Sequence, residues 1–177
     1  MLSAVTVQRV ALTIRPLTTG DDLAAFGRIV QASYLRLEGH PADASYDAEL
    51  LDVGDRVRQA VVIGAFDGSQ PLGCVTYVRD ASSPFAEDLA ADEASFRMLG
   101  VDAAAQGRGV GAALVTACLD TARRDGRGGV FIHSGEWMHT AHRLYGRLGF
   151  RHVPARDWDV REHGIVLLGF EHDLAVE

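Results

Sequence analysis

The residues best placed to do chemistry stand at 106–112, where Gln106, Gly107, Arg108, Gly109, Val110, Gly111 and Ala112 follow one another. Val110, Leu114, Ala117, Cys118 and Thr121 recur at spacings of three and four, which predicts a helix starting at this turn. Arg123 and Arg124 suit its last turn, where cations oppose the negative end of the helix dipole, and Gly126 stops it. A helix leaves about four N–H groups unpaired at its start, and these favour an anion. Glycines at 107, 109 and 111 let a ligand approach without a Cβ in the way. Arg108 adds a donor fork matched to phosphate oxygens, and Gln106 an uncharged donor. The chemistry this predicts is the binding of a pyrophosphate.

Other groupings carry less. Residues 107–112 also satisfy the G-x-G-x-x-G/A dinucleotide fingerprint. They come past the middle of the chain after a hairpin, however, and no acidic strand end stands about 20 residues on, which disfavours a dinucleotide oxidoreductase. His139 and His142 stand at i and i+3 with His133 nearby, but no thiolate or carboxylate accompanies them, so no metal site is expected. Tyr145 shares a helical face with Ala141, Leu144 and Leu148, a spacing that alone predicts a core aromatic. Trp137 and Trp158 fit either a pocket wall or packing.

These residues need a frame. Residues 10–17 read as a first strand limited by Pro16, followed by a helix over 22–35 that Thr19 or Asp21 can cap. A second helical segment spans 47–58, interrupted by Gly54. Residues 60–66 and 72–78 form a hairpin, and an acidic connection over 79–93 leads to a strand through Leu99, Gly100 and Val101. Beyond the central helix come a buried strand at 129–133, a helix carrying Tyr145 that ends at Gly149, and a strand through Val153. A polar loop at 154–164 and a last strand from Ile165 towards Leu174 complete the order βααβββαβαββ. A three-layer mixed α/β fold follows.

With 177 residues, 47% of them hydrophobic, the chain is expected to form one domain over 1–177. Lys and Arg number 17 against 24 Asp and Glu, and the net charge of −7 argues against nucleic-acid or anionic-membrane partners. A cationic acceptor suits it better. Cys74 and Cys118 lie in apolar runs and are expected to be reduced. No apolar leader and no run of about 18 apolar residues is evident, so the expected location is the cytoplasm.

The succession strand, Gln106-x-x-Gly109-x-Gly111, helix, then Ala141-x-x-Leu144-Tyr145-x-x-Leu148-Gly149-Phe150 resembles the GNAT superfamily of N-acetyltransferases. The likeness is strongest over 94–150, and the order of elements on both sides agrees. Met138 stands where many members carry Asn, which removes or replaces one polar contact to the coenzyme arm, and Ala103 where Pro is frequent. The resemblance implies a mostly antiparallel central sheet with helices on both faces, and acetyl-CoA as co-substrate. Its pyrophosphate would lie on the amides of 107–112 and its pantetheine arm along Leu99 and Val101 like an added strand. An amide near Leu99 or Gly100 would polarise the thioester oxygen.

The resemblance also points the Tyr145 hydroxyl at the departing sulfur. A phenol of pKa about 10 is mismatched to a thiolate near 8.5 by roughly 2 kcal/mol, so a hydrogen bond with late proton transfer is expected. An alkylammonium of pKa about 10.4 is about one part in 2,500 neutral at pH 7, which calls for a base or a water relay. Glu93 is the candidate base, with Ser95 on the same strand face able to hold a water, and His133 is a second candidate. The expected function is direct acetyl transfer to a small-molecule or peptide amine, whose pocket the segments 35–52 and 154–164 would supply. A non-catalytic acyl-CoA-binding module is the alternative, and the final strand could pair across a homodimer.

Overall fold

Strand pairing begins with β1 (Leu12–Pro16), antiparallel to β2 (Val61–Asp67), in a computed structural model that describes residues 12–160 and 164–174. Residues 10 and 11 of the predicted first strand, and 161–163 of the predicted loop, lie outside the described residues. β2 pairs with β3 (Gln70–Val78), and β3 with β4 (Glu93–Val101), both antiparallel. β4 then lies parallel to β5 (Gly129–Gly135), a connection that needs a crossover, here α4 (Val110–Arg124). On the far side β8 (Ile165–Asp173) runs antiparallel to β5 and also pairs with β6 (Arg151–His152) and β7 (Trp158–Val160).

Two apolar clusters make the three layers. Buried residues of α1 (Leu23–Leu35), α2 (Ala44–Leu51) and α3 (Val53–Gln59) pack with Val62, Phe66, Cys74 and Met98 of the sheet. Those of α4 and of α5 (His139–Arg147) pack with Ala94, Phe96, Val130 and Ile132. The mixed, mostly antiparallel sheet covered on both faces is thus the architecture expected.

Three local details differ from the sequence reading. The helix expected over 47–58 is two helices, because Asp52 ends α2 and its carboxylate accepts the Asp55 N–H to start α3. The break therefore falls at Asp52, not at Gly54. Asp22 caps α1 by accepting from the Ala25 N–H, while Asp21 is taken up by the Thr18 N–H and the Arg15 guanidinium. The polar stretch 154–164 holds a 3₁₀ turn (Pro154–Arg156) and β7, which is too short to show a period in sequence.

What opens the molecule is a parting of its central strands. β4 and β5 pair only at Glu93 with Gly129 and Ala94 with Val130. Further along, β4 carries a bulge: Met98 has φ 55, and the register with β3 shifts between Cys74 and Thr76. The bulge reverses the faces, placing Met98 with α1 while Leu99 and Val101 turn back towards α4. Buried Arg56 holds it, donating to the carbonyls of Glu49 (2.7 Å) and Leu50 (3.2 Å) and lying 3.0 Å from Met98 Sδ. A cation at the C-terminal end of α2 opposes the negative end of its dipole.

Candidate functional site

Gly107 and Gly109 adopt φ +77 and +80, the left-handed region that favours glycine, and nothing lies within 4 Å of where a Cβ would stand. Gly109 precedes α4, and no side chain caps that helix. The N–H groups of its first turn, at Val110, Gly111 and Ala112, are therefore free for an anion. A groove of about 480 Å³ runs from here between α1, β4 and α5. Of the residues singled out in the sequence, Leu99, Val101, Gln106, Gly107, Gly109, Val110, Gly111 and Ala112 line it. Gly111 also serves packing, since a Cβ there would stand 3.3 Å from Leu144 Cδ2.

Gly100 and Arg108 are placed differently. A Cβ on Gly100 would stand 2.6 Å from Val30 Cα, so this glycine lets α1 close against β4. The Arg108 guanidinium pairs with Asp67 on β2 at 2.9 Å and does not line the groove.

Past Ala94 the β5 side of β4 has no ladder partner, so its main-chain groups form an open edge inside the sheet, of the kind an extended ligand can join as a strand. A cavity of about 40 Å³ fills the gap, lined by Phe96, Met98, Ile132, His133 and Tyr145 among others. It shares the lining residues Tyr34, Leu99 and Met138 with the groove, so the two spaces adjoin. The Tyr145 ring is held by Phe96, Phe150 and Phe170 at centroid distances of 5.8, 5.7 and 5.9 Å. It is a core aromatic and a cavity wall together, and its hydroxyl has no hydrogen-bond partner among the described residues. Burial raises its pKa well above that of a free phenol, with the Cys118 thiol adding to the effect.

On the other side of the gap lies an outer cavity of about 470 Å³, lined by Glu87, Asp88, His133, Arg156, Asp157 and Trp158 among others. Glu93 does not line the groove or either cavity. Its carboxylate accepts two hydrogen bonds from Arg156, at 2.7 and 3.0 Å, and Arg156 lies over the Phe131 ring at 3.3 Å. Ser95 likewise lines none of these spaces. Trp158 is half-exposed on the outer wall, whereas Trp137 packs against Gly39 and Gly135.

His142 is engaged with the Ser134 hydroxyl at 3.1 Å, and burial, with His139 beside it, lowers its pKa and keeps it neutral. Among the described residues no group of three His, Cys, Asp or Glu is placed to hold a metal ion. Both thiols are free and buried, and burial pushes Cys74 up to about 12 despite Arg56 nearby.

Sequence reasoning did not find Ser33 and Tyr34 of α1, Leu37 just beyond its end, or Thr140 and Arg147 of α5, which complete the groove. No local motif marks them, because α1 reaches the site only through its packing on β4.

The sequence model of the Acetyltransferase (GNAT) family matches residues 24–150. Among curated proteins none matches the sequence. A GCN5-related N-acetyltransferase from Kribbella flavida is 26% identical in structure-based comparison, covering 93% of this chain and 98% of that one with a TM-score of 0.63. The PaiA N-acetyltransferase of Thermoplasma acidophilum, solved with coenzyme A, is 14% identical over 93% and 99% of the two chains, with a TM-score of 0.71. A Salmonella typhimurium protein solved with its cofactor acetyl-CoA is 20% identical over 94% and 96%, with a TM-score of 0.66. The latter two likenesses are of fold.

Proposed function

Since this chain belongs to the Acetyltransferase (GNAT) family and is by that membership an acyltransferase, we propose that it transfers the acetyl group of acetyl-CoA directly to a primary amine of a small molecule or peptide. The observation that carries the reading is the alignment of the groove with the adjoining gap in the sheet. The groove starts at uncapped amides of α4 and follows the open edge of β4 to its border with the gap beside Tyr145.

Acetyl-CoA supplies an activated acyl carbon on a thiol leaving group. The amides of Val110, Gly111 and Ala112 hold the pyrophosphate, with Gly107 and Gly109 leaving room for it, and the β4 edge at Leu99 and Val101 orients the arm. Orientation of this kind replaces a bimolecular encounter by a positioned one. Tyr145, protonated throughout the working range, donates a hydrogen bond to the developing sulfur anion. The acceptor amine enters from the outer cavity, on the side remote from the groove. Glu93, already occupied by Arg156, is a positioning residue for that wall.

The pyrophosphate site is tested by calorimetry with acetyl-CoA on Gly109→Glu and Gly109→Ala. Both variants bear the strain of a side chain at positive φ, about 1–2 kcal/mol, but only Glu brings a carboxylate to the amides. The expected result is affinity retained within a few-fold in Gly109→Ala and lost at least tenfold in Gly109→Glu. Equal binding would remove the phosphate loop. Thiol release measured across a panel of primary amines tests the transfer itself, and binding without release for every amine would overturn it.

A further inference from the structure

We propose that Arg147 binds the 3′-phosphate of the coenzyme and so makes this acyltransferase distinguish coenzyme A from 3′-dephospho-coenzyme A. The inference rests on the acetyl-CoA reading above and gives a task to a groove residue which that reading leaves without one.

Three observations carry it. Of the residues that line the groove, Arg147 alone is charged. It stands exposed in the last turn of α5, and its guanidinium makes no hydrogen bond or ion pair among the described residues. The other arginines nearby are engaged or face elsewhere. Arg108 is held by Asp67 at 2.9 Å, and Arg143 donates to the Thr140 hydroxyl at 2.9 Å. Arg28 and Arg36 line a separate hollow beside α1, and none of these four lines the groove.

Position along the groove decides which phosphate Arg147 meets. Met138, the residue before α5, lines the inner cavity as well as the groove and marks the thioester end. Leu144 marks the middle. A Cβ on Gly111 would stand 3.3 Å from Leu144 Cδ2, so this leucine packs on the first turn of α4, whose amides hold the pyrophosphate. Arg147 shares its helix face, three residues or about 4.5 Å further from the thioester end. The ligand's own bonds fix its order: thioester, pantetheine arm, pyrophosphate, then a ribose that carries a phosphate on its 3′ oxygen. A cation just beyond the pyrophosphate therefore meets the 3′-phosphate.

Charge calls for this contact. A phosphate monoester holds about 1.5–2 negative charges at pH 7, in addition to those of the pyrophosphate. The chain itself carries a net −7, which repels such a ligand at long range. The start of α4 offers only about half an elementary charge, and that is spent on the pyrophosphate. A guanidinium presents a planar fork that can give two parallel N–H···O bonds to a terminal phosphate. The last-turn position gives Arg147 a second effect, since a cation there opposes the negative end of the helix dipole. That effect acts on the fold and on every ligand alike, so selectivity for one phosphate separates the two.

The test is a cycle by calorimetry, with CoA and 3′-dephospho-CoA as probes that differ in this phosphate alone, on wild type and Arg147→Gln. The wild type should bind 3′-dephospho-CoA roughly tenfold more weakly, as expected of a charge-assisted pair at an exposed site. In Arg147→Gln the affinity for CoA should fall by that factor while that for 3′-dephospho-CoA stays within about twofold, so that the ratio collapses to near one. Arg147→Lys keeps the charge without the fork and should retain part of the ratio. Arg108→Gln should leave the ratio as it is. Raising NaCl from about 0.05 M to about 0.5 M should shrink the ratio in wild type and leave Arg147→Gln flat.

A ratio near one in wild type, an equal weakening of both ligands in Arg147→Gln, or a ratio lost in Arg108→Gln instead overturns the assignment. None of these measurements needs an acceptor amine or turnover. If the wild type binds neither ligand, the acetyl-CoA reading itself fails and this one with it; binding that ignores the 3′-phosphate sinks the Arg147 assignment alone.

Discussion

Tyr145 is where residue-scale physics is sharpest, because one side chain meets two demands. Its ring packs against Phe96, Phe150 and Phe170, and its hydroxyl faces a cavity without a partner. Removing the hydroxyl leaves the ring contacts intact, so Tyr145→Phe is expected to fold with an unchanged thermal midpoint. A hydrogen bond to a charged partner is worth about 1.5–3 kcal/mol, which corresponds to a kcat roughly 10–100-fold lower with acetyl-CoA affinity unchanged. Steady-state thiol release and calorimetry check both halves, and an unchanged kcat removes the tyrosine from the chemistry. The spacing of Ala141, Leu144, Tyr145 and Leu148 was enough to read the buried face in sequence, and the family pattern was needed to suggest the hydroxyl's task. Glu93 shows the converse. Its place at the head of the central strand is visible in sequence, but its capture by Arg156, 63 positions away, is a tertiary fact that no local pattern encodes.

Among the elements, those with a strong period were legible: the central helix, the hairpin and the tyrosine helix all form where apolar spacing put them. The features that make the site are of another kind. The bulge at Met98 puts a non-glycine residue at φ 55, and what sustains it is Arg56, reaching from α3 to the end of α2. Gly100 is a further case, since only the approach of α1 explains why a side chain is absent there. In Gly100→Ala the new methyl would meet Val30 backbone, which cannot swing aside as a flexible side chain can. Overpacking of this sort costs about 1–3 kcal/mol, and relief must come from α1 moving off β4. Because α1 brings Ser33, Tyr34 and Leu37 to the groove, the expected outcome is a lower thermal midpoint together with weaker acetyl-CoA binding. A midpoint that falls while affinity holds would uncouple α1 from the groove.

At the scale of the whole molecule, stability is bounded in pH from both sides by different groups. The Arg15 guanidinium lowers Asp21, and the Ser45 and Ser82 hydroxyls lower Asp43 and Asp80. A carboxyl whose folded pKa is depressed contributes stability above its unfolded value, near 3.9, and loses it as pH falls. The alkaline side belongs to the core: burial pushes Cys74 up to about 12 and raises Cys118 further, while an unfolded thiol ionises near 8.5. A raised folded pKa gives stability that is complete below the unfolded value and lost as pH rises towards the folded one. Each thiol should then cost about 1.4 kcal/mol per pH unit above ~8.5, so the pair accounts for roughly 4 kcal/mol between pH 8.5 and 10. Urea unfolding across that range should show this slope in wild type. Cys74→Ala with Cys118→Ala should start from lower stability, because two buried side chains are truncated, and yet run nearly flat until the tyrosines begin to ionise near pH 10. Parallel slopes in the two proteins would mean that the thiols do not govern the alkaline limb. The flat profile would identify these cysteines as groups whose burial, and not any redox or nucleophilic work, sets the upper limit of the fold.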